Sequence, residues 1–258
     1  MHLIKKLCMK HLMLKTTCLL IAGATLVLSC KKDAGSGTGG SSTTTVPDVF
    51  KKFNSSVTIS VEGNYLVLKS TGIPDHKSPY FATTHAQYEA YNGSNPNYAK
   101  NPNSIQSQNY VFKIPLNPAK ASTAVATSLG PMGISVNGVP LFNQYAAGNA
   151  PLTNEINSFD QYNGHPQQTG QYHYHVEPLY ITAQKGRNAL IGFLLDGFPV
   201  YGPVENGSVL TSSQLDAYHG HFAVTADYPS GIYHYHITAD APYINGNGFY
   251  GTPGTVTQ

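Results

Sequence analysis

One phrase occurs twice in this chain and fixes much of what it can fold into. Gly170-Gln-Tyr-His-Tyr-His175 and Gly231-Ile-Tyr-His-Tyr-His236 lie about 60 residues apart and hold four of the eleven histidines. Successive side chains of an extended strand point to opposite faces, so His173 and His175 share one face and Tyr172 and Tyr174 the other, with the imidazoles rooted roughly 7 Å apart. His234 and His236, with Tyr233 and Tyr235, repeat the arrangement. Paired imidazoles on one strand face suit two ligands on one metal ion, or two acid-base groups flanking one substrate atom.

The repetition is wider than six residues, and a repeat sets the unit from which a fold is assembled. Gly133-Ile-Ser-Val-Asn-Gly-Val-Pro-Leu-Phe142 aligns with Gly192-Phe-Leu-Leu-Asp-Gly-Phe-Pro-Val-Tyr201, each reading as strand, turn, strand. Asp160-Gln-Tyr-Asn-Gly-His165 aligns with Asp216-Ala-Tyr-His-Gly-His221, a D-x-Y-x-G-H element upstream of each tyrosine-histidine strand. Three motifs in one order predict an internally duplicated all-β domain, a sandwich or barrel with pseudo-twofold symmetry and one or two short helices. The repeats span about residues 131–178 and 190–240.

Composition agrees. Charged residues make up 11%, aromatics the same share, and 18 tyrosines, 25 glycines and 17 prolines favour short strands joined by ordered turns. Residues 1–29 read as a targeting segment: lysines precede the apolar stretch Leu19 to Leu28, which is shorter than the roughly 20 residues that span a bilayer. It ends in Leu-Val-Leu-Ser-Cys30, which resembles the lipobox of bacterial lipoproteins, in which the cysteine carries the lipid; the start lies at Met1, Met9 or Met13. Removal of that segment leaves 11 basic against 13 acidic residues and no free thiol. Nucleic-acid binding is thus unsupported, and any metal must be held by His, Asp, Glu, Tyr or backbone oxygen. The expected location is the cell envelope, lipid-anchored and facing the periplasm or the cell surface.

Residues 30–48, rich in Gly, Ser and Thr, read as a flexible tether, and 49–258 as the domain. Val57 to Val61 and Tyr65 to Lys69 predict a hairpin around Gly63-Asn64, and Asn109 to Ile114 a further strand. Residues 72–106 read as a long ordered loop carrying His76 and His85. Short helices are expected at Ser212 to Ala217 and Thr153 to Asn157.

Gly72-Ile-Pro-Asp-His76, Asn109-Tyr-Val-Phe-Lys-Ile-Pro115, Gly138-Val-Pro140, Gly164-His-Pro166, Asp196-Gly-Phe-Pro-Val-Tyr-Gly202 and the Tyr-His-Tyr-His strand resemble the YHYH domain family over about residues 55–250. The resemblance implies a secreted or surface-anchored β-rich domain and carries no established reaction. Relatives often have cysteines near the D-x-Y-x-G-H element and the C-terminal Asn-Gly-Phe-Tyr segment. This chain has Tyr162 and Asn247 there, so no disulfide is implied.

Neutral imidazole is a common transition-metal ligand, and three histidines per repeat suit Zn(II) or Cu(II). The candidate triads are His165, His173, His175 and His221, His234, His236, with Asp160 and Asp216 expected to orient an imidazole through its other nitrogen and Tyr162 and Tyr218 to donate into the site. The two triads either share one site or form two. Tyr172, Tyr174, Tyr233 and Tyr235 are expected in the core, and Asn137-Gly and Asp196-Gly as hairpin turns. A solvated histidine face, a metal-free hydrolase or phosphoesterase using one histidine from each strand, and a carbohydrate- or surface-binding module are the competing readings. Of these, the phosphoesterase form fits His236-Ile-Thr238 but not His175-Val-Glu177.

Overall fold

A computed structural model describes residues 45–258. The expected signal segment, Cys30 and most of the tether lie outside the described residues. Val46 and Val49 pack against the core, and Asp48–Lys52 form a 3-10 turn, so order begins within the stretch read as tether.

Along the chain run β1 (Thr58–Glu62), β2 (Tyr65–Ser70), β3 (Tyr110–Pro115), β4 (Lys120–Val125), β5 (Pro131–Ser135) and β6 (Pro140–Phe142). Then come β7 (Tyr145–Ala146), β8 (Ala150–Pro151), β9 (Gly164–Pro166) and β10 (Tyr172–Tyr174), followed by the helix α1 (Leu179–Lys185). The last part holds β11 (Leu190–Leu194), β12 (Pro199–Tyr201), β13 (Val204–Glu205), β14 (Ser208–Val209), β15 (Gly220–Ala223), β16 (Ile232–His236), β17 (Phe249–Gly251) and β18 (Thr255–Thr257). The expected hairpin is β1–β2, and the expected later strand is β3. The two predicted short helices are 3-10 turns at Glu155–Ser158 and Ser212–Gln214, the second closed by a capping box from Thr211. Sequence reasoning missed α1, although Pro178 precedes it and Gly186 ends it.

The fold is mainly β. One sheet has the order β1-β2-β3-β18; a second has eight strands in the order β15-β16-β12-β11-β5-β6-β10-β9. The larger sheet is open, with β15 and β9 at its edges, so the barrel alternative is wrong. Its order reads alike from either edge: the hairpins β5–β6 and β11–β12 meet at the centre, and each is flanked by its tyrosine-histidine strand and then its Gly-His strand. The central register is symmetric too, with Gly133 opposite Leu194, Ile134 opposite Phe193 and Ser135 opposite Gly192.

Burial explains this layout. The central strand β11, Leu-Ile-Gly-Phe-Leu, is buried throughout, as an apolar run covered on both faces must be. Leu66 and Leu68 of β2 and Phe112 and Ile114 of β3 join Ile134, Leu141, Phe193 and Val200 of the larger sheet in one core. Phe50 stacks on Phe193 at 4.4 Å between centroids, and each such buried ring stabilises by about 1.5–3 kcal/mol. The Asn-Gly and Asp-Gly pairs are hairpin turns, as expected: Gly138 at φ 86° and Gly197 at φ 83° take the left-handed backbone that a side chain resists.

Candidate metal centres

Each tyrosine-histidine strand is stapled by its D-x-Y-x-G-H turn. Asp160 Oδ1 accepts the backbone N–H of Tyr162 (2.9 Å) and Gly164 (3.2 Å), and Oδ2 accepts the hydroxyl of Tyr172 at 2.8 Å. Asp216 Oδ1 likewise accepts the N–H of Tyr218 (2.9 Å) and Gly220 (3.1 Å) and the hydroxyl of Tyr233 (2.9 Å). The motif glycine is required by this close approach: a Cβ at Gly164 would stand 2.3 Å from the Tyr172 ring, and one at Gly220 2.6 Å from the Tyr233 hydroxyl. The tyrosines of both strands therefore face the core, as their alternation predicted, and the histidines take the other face.

On that face the first triad converges. His165 Nε2 lies 3.1 Å from His173 Nε2, which lies 2.9 Å from His175 Nε2, and Glu155 Oε1 stands 3.2 Å from His165 Nε2. The outward nitrogens are all committed. His173 Nδ1 donates to the Gln171 carbonyl (3.0 Å) and His175 Nδ1 to that of Asn143 (2.5 Å). His165 Nδ1 donates to Ser158 Oγ (2.8 Å), whose own proton goes to the Glu155 carbonyl. A neutral ring with its proton on Nδ1 has only a lone pair on Nε2, so these short Nε2–Nε2 approaches are lone pairs facing lone pairs. A cation at their centre resolves the conflict: four ligands at Zn–N distances of 2.0–2.1 Å stand about 3.3 Å apart in a tetrahedron. Burial holds His173 and His175 neutral, driving His173 far below the ordinary imidazole range and His175 down to about 4. Phe142 stacks on His173 at 3.9 Å, and Phe159 covers His165 and His175 at 4.8 and 5.8 Å.

The second triad repeats the plan. His221 Nε2 is 3.2 Å from His234 Nε2, and Glu205 Oε1 lies 3.2, 3.5 and 3.8 Å from the Nε2 atoms of His221, His234 and His236. His234 Nδ1 donates to the Ile232 carbonyl (3.0 Å) and His236 Nδ1 to that of Gly202 (2.9 Å), positions that match Gln171 and Asn143 in the first half. His236 Nε2 is buried with no hydrogen-bond partner among the described residues, and burial lowers His236 to about 4. An orphaned acceptor of this kind costs about 1–3 kcal/mol unless something fills its lone pair. The two groups, Glu155 with its three histidines and Glu205 with its three, each keep their ligand atoms within 4.8 Å of one another.

The YHYH protein family model matches residues 111–210 and 204–248, a stretch that holds both clusters. The chain belongs to the YHYH family. No curated protein and no solved structure gives a significant match.

In this YHYH protein the two Tyr-His-Tyr-His strands serve separate clusters. Four strands lie between β10 and β16, about 24 Å of sheet at ordinary strand spacing, so the triads form two centres rather than one. Asp160 and Asp216 sit otherwise than expected: they bind tyrosine hydroxyls and backbone N–H groups, while the imidazoles are oriented by main-chain carbonyls and Ser158. Tyr162 and Tyr218 do not reach either centre; Tyr162 packs against His76 and Tyr218 against Tyr250. His76 is no ligand. It is buried with Nδ1 donating to the Lys77 carbonyl and Nε2 accepting the Tyr174 hydroxyl at 2.9 Å. His219 takes the left-handed turn position matched by Asn163 and bonds Ser212 and Thr238, and His85 is exposed. Both glutamates were missed. They stand outside the aligned motifs, 13 residues after Phe142 and 4 after Tyr201, so no register could pair them; that the chain has only five glutamates was the available signal.

Proposed function

We propose that the protein is a lipid-anchored metal-binding protein of the cell envelope, holding one transition-metal ion in each His3Glu cluster. The observation that carries this reading is the convergence of Nε2 atoms in two clusters, with the Nδ1 of five of the six histidines already fixed by a hydrogen bond, a pattern typical of metal-ligating histidines. Zinc suits it best: the donors are nitrogen and oxygen without sulfur, and separations of 3.1–3.2 Å between them lie near the tetrahedral edge. Copper(II) is the second candidate and favours a flatter arrangement. The mirrored strand order and register support a duplicated ancestral unit with one ion per unit. A thiol-free domain behind a lipobox-like Cys30 supports the envelope assignment, with the membrane as its partner through the lipid. A hydrolase that uses paired histidines without metal is disfavoured, because Thr238 of the His236-Ile-Thr238 element is buried against His219.

Elemental analysis of chelator-stripped and zinc-refilled protein tests the reading. Two equivalents are expected in the wild type and one in each of His173→Ala and His234→Ala; protein that stays metal-free at micromolar Zn(II) and Cu(II) rejects it. Cys30→Ala should move the protein from the membrane fraction to the soluble one.

A further inference from the structure

The two clusters share ligands but not surroundings, and the second opens onto a cleft of about 330 Å³. His234, His236 and Glu205 form part of its wall, and Tyr201, Lys52 and Lys185 line it as well. His221 keeps 29% of its side chain exposed, whereas His165, its match, keeps 3%. The ring that covers the first cluster, Phe159, has Leu215 at its matched position, and Leu215 lies outside the hydrophobic core. A cleft of about 300 Å³ on the first cluster's side is lined by Ile156, Phe159 and Asp160 but by none of the four ligand residues. Glu155 at 27% side-chain exposure is the sole partly exposed member of the first group.

Charge favours one class of occupant. A divalent ion with three neutral imidazoles and one carboxylate keeps a net charge of +1, and the cleft adds two lysines and Asp227, for a formal +2. Lys52 is paired with Asp227, whose other oxygen accepts the Tyr201 hydroxyl at 2.9 Å, while Lys185 has no ion pair among the described residues. Zinc centres with access to solvent add a ligand readily, expanding to five-coordinate.

We propose that the second cluster is an exchangeable metal centre that takes a small oxyanion, a carboxylate or phosphate group, from the Lys52–Lys185 cleft, and that the first is a closed structural centre. This rests on the metal-binding reading above. The second centre is the anion receptor of the molecule, and the first holds its half of the sheet together.

Cobalt(II)-loaded full chain tests it, with acetate and inorganic phosphate as probes and the visible d–d bands as readout. Saturable loss of band intensity is expected in wild type and in His165→Ala, and no change in His221→Ala, which keeps the first centre alone. Lys185→Glu, at an exposed position that leaves the core untouched, should raise the dissociation constant about fivefold, the size of an exposed charge interaction. Whichever probe binds more tightly identifies the class of oxyanion. Two bound cobalt ions without an anion response, a response that survives in His221→Ala, or an unchanged constant in Lys185→Glu would each overturn the inference while leaving metal binding intact. Failure to bind cobalt at all would remove the metal reading itself.

Discussion

The first cluster is roofed by Phe142 and Phe159 and its histidines are 2–3% exposed; the second has Tyr201 and Leu215 at the matched positions and meets a cleft. Identical ligand chemistry can thus be set in a dry, closed pocket or at a wet, charged surface by changing what packs around it. The Phe142–Tyr201 difference is instructive, since the tyrosine hydroxyl bonds Thr225 and Asp227 and so turns one wall of the second centre polar. The carboxylates differ as well. Glu155 comes from a 3-10 turn and meets one imidazole of its triad, His165, within 4 Å, whereas Glu205 comes from the β13–β14 hairpin and reaches all three imidazoles.

Metal removal should expose this contrast most strongly. A ligand bound at a thousandfold its dissociation constant stabilises a fold by about 4 kcal/mol, and at a hundredfold by about 2.7. In urea unfolding, stripping His221→Ala, which retains the closed centre, is expected to cost about 4 kcal/mol, and stripping His165→Ala nearer 2.7. Equal losses would break the division into closed and open centres.

Acid should reveal what the two centres have in common. His175 and His236 both titrate near 4 in the folded state against about 6.5 when free, so the folded chain binds fewer protons than the unfolded one in that window. Stability of the stripped protein should therefore be full above pH 6.5 and fall as the pH drops toward 4. Gln at either position should flatten the fall to a similar extent, measured by chemical denaturation at stepped pH; a one-sided result would show that the two buried rings are not equivalent.

A smaller effect separates the tyrosine anchors. Tyr235 donates to Asp196 Oδ2 at 2.6 Å and accepts the Tyr250 N–H, while Tyr174 donates to His76 and accepts from Asn137 Nδ2 at 3.2 Å. Burial raises Asp196 to about 6, so it is largely a carboxylate at neutral pH. Tyr235→Phe should cost about 2–3 kcal/mol by leaving that carboxylate short of a donor, and Tyr174→Phe about 1 kcal/mol. Thermal melts that rank them in reverse would show that the His76 contact is the stronger anchor.

This pair also shows how far the sequence can be read. Asn137 and Asp196 align in the repeat as turn residues, and they are. That the first needs a distant histidine as the acceptor for its tyrosine, because an amide nitrogen donates where a carboxylate accepts, depends on the 72–106 loop lying over the strand. His76 was visible as part of a motif, but its role was not.

What the sequence determined by itself was local: two hairpins with Gly turns, two strands with tyrosine on one face and histidine on the other, and a matched turn before each. These follow from a period of two and from left-handed glycines, both legible within ten residues. The tertiary structure decided which strands became neighbours. Sheet order set the triads about 24 Å apart, brought in Glu155 and Glu205 from outside the repeat, and turned Asp160 and Asp216 toward tyrosines. Contacts between residues distant along the chain depend on the packing of a shared core, and no spacing within either repeat encodes that.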